Sequence, residues 1–140
     1  MKFTDAEIAY LASQRLGRLA TIQPGGALQN SPVGFRYNPD LDTIDITGHG
    51  MATSQKFRNV GTDARVAFVV DDVLTEPSWR VRCVEIRGTA EALPPPDVPD
   101  PTQRRGVDGA IIRVHPTRII SFGLTDSDDP FRGGANKRDV

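Results

Sequence analysis

Two cations stand where a helix dipole opposes them. The run Thr53-Ser54-Gln55-Lys56-Phe57-Arg58 follows a glycine-rich break, Gly48-His49-Gly50. Thr53 or Ser54 can cap a short polar helix of about Ser54 to Val60. Lys56 and Arg58 then fall in its first turns, the end where positive charge is unfavourable. A bound anion removes the conflict, because backbone N–H groups, the Thr53 and Ser54 hydroxyls and Lys56 converge on a phosphate. The alternative is that both cations point into water. A second cation lies in Ser31-Pro32-Val33-Gly34-Phe35-Arg36, where strand alternation sends Ser31, Val33 and Phe35 one way and Arg36 the other. Arg80, Arg82 and Arg87 form a third set, either a solvated strand face or part of a site.

Other chemistries find little support. One cysteine and two well-separated histidines give no metal-ligand cluster. No Gly-x-Ser-x-Gly or cysteine-protease signature is present. Gly48-His49-Gly50 follows a strand, but the third glycine of a dinucleotide loop is Thr53 here. Cys83 reads as a packed thiol, His115 as a strand-end residue and Trp79 as a loop anchor. No residue stands out as an obligatory general acid.

The elements that must position these residues are short and mostly extended. Thr4 and Glu7 form a capping box flanked by Phe3 and Ile8, and Ile8, Leu11, Ala12 and Leu16 continue at helical spacing to a stop at Gly17. Strands are expected at Arg18–Ile22, Leu28–Tyr37, Thr43–Thr47, Arg65–Val70 and Val81–Leu93. Pro32 suggests an edge or a bulge, and Pro116 divides Ala110–His115 from Arg118–Leu124 into the last two strands. Pro94 to Asp108 reads as an exposed connector, and residues from Thr125 onward as a tail ordered only on a partner, if at all. The whole is mainly β, with turn spacing that favours an antiparallel barrel.

At 140 residues the chain is one domain, and its net charge of -1 argues against a dedicated nucleic-acid binder. A single-stranded nucleic-acid barrel is a weaker option still, since only 6% of residues are aromatic. No apolar run is long enough to cross a bilayer. Acids near Met1 where a signal peptide needs apolar residues, and a lone cysteine, point to the cytoplasm.

Taken in order, the capped helix, Arg18-Leu19-Ala20-Thr21, Ser31-Pro32-Val33-Gly34-Phe35, Ile46-Thr47-Gly48, Ser54-Gln55-Lys56, Arg65–Val70, Glu85–Glu91 and Arg118–Leu124 resemble the pyridoxamine 5'-phosphate oxidase-like split-barrel superfamily. The pattern is most similar to its actinobacterial flavin/deazaflavin oxidoreductases that use coenzyme F420. The resemblance implies a six-stranded antiparallel FMN-binding split barrel over residues 1–124, homodimeric, with cofactor grooves at the interface and a tail over 125–140 that can pack on the partner. It implies a cofactor site of Ser31, Pro32, Val33, Arg36, Thr47, Gly48, Ser54, Gln55, Lys56 and Arg58. Lys56, Ser54 and Arg36 would hold the phosphate, Ser31 to Val33 would line the ring, and Arg58 or the Arg80/Arg82 pair would meet the acidic tail of F420. The implied activity is hydride transfer from reduced F420 to a small conjugated or heterocyclic acceptor. An FMN-binding oxidoreductase and a non-catalytic F420- or flavin-binding module are the alternatives. The tail lacks the segment with which a true pyridoxamine-phosphate oxidase grips its substrate, so vitamin B6 oxidation is not expected. Cys83 stands where relatives often carry glycine.

Overall fold

The computed structural model describes residues 1–126 and 134–140. Helix α1 (Asp5–Ser13) precedes strands β1 (Leu16–Ile22), β2 (Leu28–Asn38) and β3 (Thr43–Thr47). A 3-10 turn (Met51–Thr53) leads into α2 (Gln55–Thr62), followed by β4 (Arg65–Leu74), β5 (Arg80–Leu93), β6 (Ile111–Phe122) and β7 (Asn136–Asp139). The antiparallel order is β3-β2-β1-β4-β5-β6-β7, and β3 also pairs with β6. Strands β1 to β6 therefore close a six-stranded barrel, with β7 added along the β6 edge that β3 leaves free. Closure removes the open edges that a sheet of this length would otherwise expose.

Alternation fills the interior. Val66, Phe68 and Val70 of β4 point inward with Leu19, Ile44, Ile46, Val84, Ile86, Ile112, Val114 and Ile119, all buried. Strand β2 follows the same rule, with Val33 buried and Gly34 and Arg36 exposed outside. Its first half pairs with β1 and its second half with β3, only Gly34 pairing with both, so Pro32 lies where one side of the ladder is open.

Two expectations are corrected. The helix stops at Ser13, with Gln14 already extended, rather than at Gly17. Gly17 belongs to β1 and serves the core, since a Cβ there would lie 2.3 Å from the Phe68 ring. Leu16, counted in the helical stripe, is 56% exposed at the strand start. Ala110–His115 and Arg118–Leu124 are not two strands either, because β6 runs through Pro116. Its register shifts between Arg87↔Arg118 and Gly88↔Pro116, which leaves Thr117 as an extra residue. The proline sits at that bulge, where the ladder is already interrupted.

The sequence beyond Thr125, read as a tail, ends as β7 on its own barrel; residues 127–133 of it lie outside the described residues. The capping box ties this strand to the start of the chain. Glu7 accepts from the Thr4 backbone N–H at 2.9 Å, from Ser121 Oγ at 2.6 Å and from Arg138 Nη2 at 2.6 Å. Burial pushes the Glu7 carboxyl up, but the bonds from Arg138, Ser121 and Thr4 outweigh it and hold its pKa below the ordinary value. The resulting stability is full above the ordinary carboxylate range and is lost as pH falls through the lowered folded value. Glu7→Gln should cost about 2 kcal/mol at pH 7, the order of a charge-assisted bond lost inside a protein. In urea unfolding, the wild type should lose stability more steeply than Glu7→Gln from about pH 5 to pH 3; parallel pH profiles would contradict this.

Candidate functional site

The outward face of β2 and β3 carries an open groove of about 1080 Å³. Arg36, Thr47 and Gly48 line it with Gln14 and Arg15, and the connector around Gln103 and Arg104 forms its opposite wall. Beside Arg36, Asp45 is buried and gripped by Arg113 through two 3.0 Å bonds. Asn38 Nδ2 at 3.0 Å and Thr43 Oγ1 at 3.1 Å complete its shell. Burial opposes ionisation of Asp45, yet the Arg113 bonds, with those from Asn38 and Thr43, hold its pKa below the usual range. Arg36 reaches the same carboxylate only at 3.9 Å, and its side chain is 71% exposed. Its charge is thus largely available to the groove.

Gly48 and His49 lead through the 3-10 turn to α2. Ser54 caps this helix, its Oγ accepting from Phe57 N–H at 3.3 Å and donating to Met51 O at 2.7 Å. Arg58 turns back on the helix start, donating to Thr53 O at 2.6 Å and to Gln55 Oε1 at 2.8 Å. Carbonyl and amide oxygens therefore offset its conflict with the dipole. Lys56 is different: it is half-buried, and its ammonium has no hydrogen bond or ion pair among the described residues.

Beneath the helix lies a polar pin that sequence reading missed. Asn59 is fully buried and donates from Nδ2 to Thr21 Oγ1 and Gln29 Oε1, both at 3.0 Å, while its Oδ1 accepts from Gln55 Nε2 at 2.7 Å. An asparagine in the buried face of a short helix was the available signal. Ser31, inward on β2 with Val33, has a buried hydroxyl with no hydrogen-bond partner among the described residues.

The predicted residues thus fall into three places. Arg36, Thr47 and Gly48 share the groove; Ser54, Gln55, Lys56 and Arg58 cluster at the start of α2. Ser31 and Val33 face inward, and Pro32 faces out between them. Two of the cations offered for an acidic tail are committed within the chain. Arg82 is paired with Asp72 on two atoms and lies 4.9 Å over the Tyr10 ring. Arg80 donates to Gly123 O at 2.7 Å and pairs with Asp126 at 3.4 Å. Sequence reading also passed over Arg15 and Arg104, which only folding brings to one groove.

The chain matches the family described as pyridoxamine 5'-phosphate oxidase over residues 3–121. The chain belongs to this family. A 5a,11a-dehydrotetracycline/5a,11a-dehydrooxytetracycline reductase of Streptomyces rimosus subsp. rimosus is 43% identical over 100% of this chain and 94% of its own length. Among solved structures, a conserved hypothetical protein from Mycobacterium tuberculosis shares the fold with a TM-score of 0.67, at 24% identity over 87% of this chain and 86% of its own. A structure named F420 reductase aligns with a TM-score of 0.54, at 26% identity over 75% of this chain and 88% of its own. These relatives support an oxidoreductase of the split-barrel fold with a flavin or deazaflavin cofactor.

The residues present at the start of α2 fit a cofactor phosphate: Ser54 caps the helix, and half-buried Lys56 has no counter-ion among the described residues. Cys83, by contrast, fits no reactive role. Burial, with Asp71 and Glu85 adding to it, pushes its thiol up to about 11. Iodoacetamide at pH 8 should leave native Cys83 unmodified for the time that alkylates the urea-unfolded chain completely; equal rates in both states would contradict the packed-thiol assignment.

Proposed function

We propose that the protein is a reductase that uses reduced F420 to deliver a hydride to a carbon–carbon double bond conjugated with a carbonyl. The acceptor class is a dehydrotetracycline-like polycycle, in keeping with the reductase at 43% identity. The observation that carries the cofactor reading is Lys56, a half-buried residue whose ammonium has no partner among the described residues, at the start of a helix capped by Ser54. Ser54, Lys56 and the first N–H groups of α2 hold the phosphate, with Arg36, Thr47 and Gly48 along the groove. Gln55 and Arg58 brace the helix start, and the exposed Arg58 guanidinium remains within the site to meet acidic groups of the cofactor. Pro32, facing out on β2, lines the side towards the ring, whereas Ser31 and Val33, expected there, face the barrel interior. The deazaflavin supplies the hydride when bound, and the protein supplies position and electrostatics.

A homodimer completes this reading. The outward faces of β1, β2 and β4 present Ala20, Pro32, Gly34, Ala67 and Val69 around the Arg18–Asp71 ion pair, next to the exposed Leu16 and Leu28. A second copy covers that face and closes the cofactor groove. Among the described residues no helix is long and apolar enough to cross a membrane, and we place the reaction in the cytoplasm.

FMN is the second reading, and one observation favours it. With Arg80 and Arg82 engaged in the chain's own bonds, fewer cations remain for the acidic tail that distinguishes F420 from FMN. Paired fluorescence titrations of the apo-protein with F420 and with FMN separate the two. F420 should bind more tightly than FMN, and Lys56→Ala should weaken it on the order of 10- to 100-fold, the loss of a charge-assisted hydrogen bond. Tighter FMN binding would move the protein to the flavin branch, and a change below about 2-fold would remove Lys56 from the phosphate site.

A further inference from the structure

The connector between β5 and β6 is long, from Pro94 to Ala110, and forms no helix or strand of its own. Loops of that length inside a compact domain are commonly functional. This one does not hang free. Its end is fastened to the link between β3 and α2 by a bridge between His49 and Val107. The Gly50 N–H donates to Gly106 O at 3.2 Å, and the Ala52 N–H donates to Asp108 Oδ2 at 2.9 Å. The approach is close enough to require glycine: at Gly106, φ is +86° and a Cβ would lie 2.3 Å from His49 Nδ1. Asp100 folds the tip by accepting from Thr102 N–H at 2.8 Å and Thr102 Oγ1 at 2.7 Å.

So fastened, the connector places Thr102, Gln103 and Arg104 on the groove that Gln14 and Arg15 also line. Arg15 and Arg104 are exposed, and neither guanidinium has a hydrogen bond or ion pair among the described residues. The groove's carboxylates do not neutralise them, since Asp45 is held by Arg113 and Asp100 is turned to Thr102. The volume, about 1080 Å³, exceeds what a single ring system fills. The phosphate-binding cation, Lys56, is on a different element.

We propose that this connector is the acceptor-recognition wall, with Arg104 and Arg15 binding an oxygen-rich polycyclic acceptor through its ionised or ionising oxygen. The inference rests on the reductase reading above and names the residues that select its substrate. The chemistry agrees with the charge. A hydride, carrying two electrons from the reduced cofactor, forms a C–H bond at the β-carbon of the conjugated double bond. The π pair moves onto the carbonyl oxygen as an enolate, and a proton from water later reaches the α-carbon. The acceptor is reduced by two electrons and the cofactor oxidised by two. A guanidinium aimed at that oxygen stabilises charge that develops only as the hydride arrives.

Oxytetracycline is the probe, titrated into wild type, Arg104→Ala, Arg104→Lys and Arg15→Ala, each saturated with F420. Arg104→Ala and Arg15→Ala should each weaken oxytetracycline binding by about 10-fold or more. Arg104→Lys should recover part of that loss, while F420 affinity in every variant stays within about 2-fold of wild type. Oxytetracycline binding that is absent in the F420-loaded wild type, or unchanged in both alanine variants, overturns the inference and leaves the reductase reading standing. A parallel fall in F420 affinity also overturns it and assigns the two arginines to the cofactor. Failure of the wild type to bind F420 or FMN at all removes the reductase reading, and this inference with it.

Discussion

The seam between β3 and β6 is the constraint on which the site depends. Three residue pairs close the barrel there, Ile44↔Val114, Asp45↔Arg113 and Ile46↔Ile112. The two apolar pairs face the core and the ionic pair faces out, as strand alternation demands. A buried carboxylate is costly unless it is paired and fully bonded, and Asp45 meets both conditions through Arg113, Asn38 and Thr43. The same pairing leaves Arg36, the cross-strand neighbour of Asp45 on the other side, lining the groove with its charge only partly offset. Closing the barrel and electrifying the groove are one interaction.

A second coupling links the barrel interior to the start of α2. Asn59 holds α2 against β1 and β2, Gln55 holds Asn59, and Arg58 holds Gln55 and the Thr53 carbonyl. Each polar atom in this series is satisfied by the next, so the helix start is fixed in direction without any ligand. Lys56 stands outside the series. Such a preformed arrangement lowers the ordering cost of binding an anion there.

Much of the fold was legible because it rests on local chemistry. The capping box at Thr4 and Glu7, the period-two run Thr43–Thr47 and the apolar stretch of β4 each carry their own signal. The failures have physical causes. Gly17 looked like a helix stop, but its missing side chain makes room for the ring of Phe68 on the neighbouring strand β4. Pro116 looked like a break, but a bulge absorbs it within one strand. The end of the tail looked unstructured because Asn136-Lys137-Arg138-Asp139 has no apolar pattern; its strand is held by ladder pairing to β6 and by one arginine reaching the carboxylate of Glu7. The candidate site was half legible. The helix dipole and its cations marked Ser54 to Arg58, whereas Arg15 and Arg104 come from distant segments and no spacing connects them.

The central claim is that this barrel performs a reduction rather than storing or carrying a cofactor. The most direct measurement is the oxidation of reduced F420 by the protein, followed optically, with a 5a,11a-dehydrotetracycline as acceptor and its product identified by mass. A reductase consumes reduced F420 catalytically and yields an acceptor heavier by two hydrogens. Tight F420 binding with neither would contradict the claim and leave a cofactor-binding module.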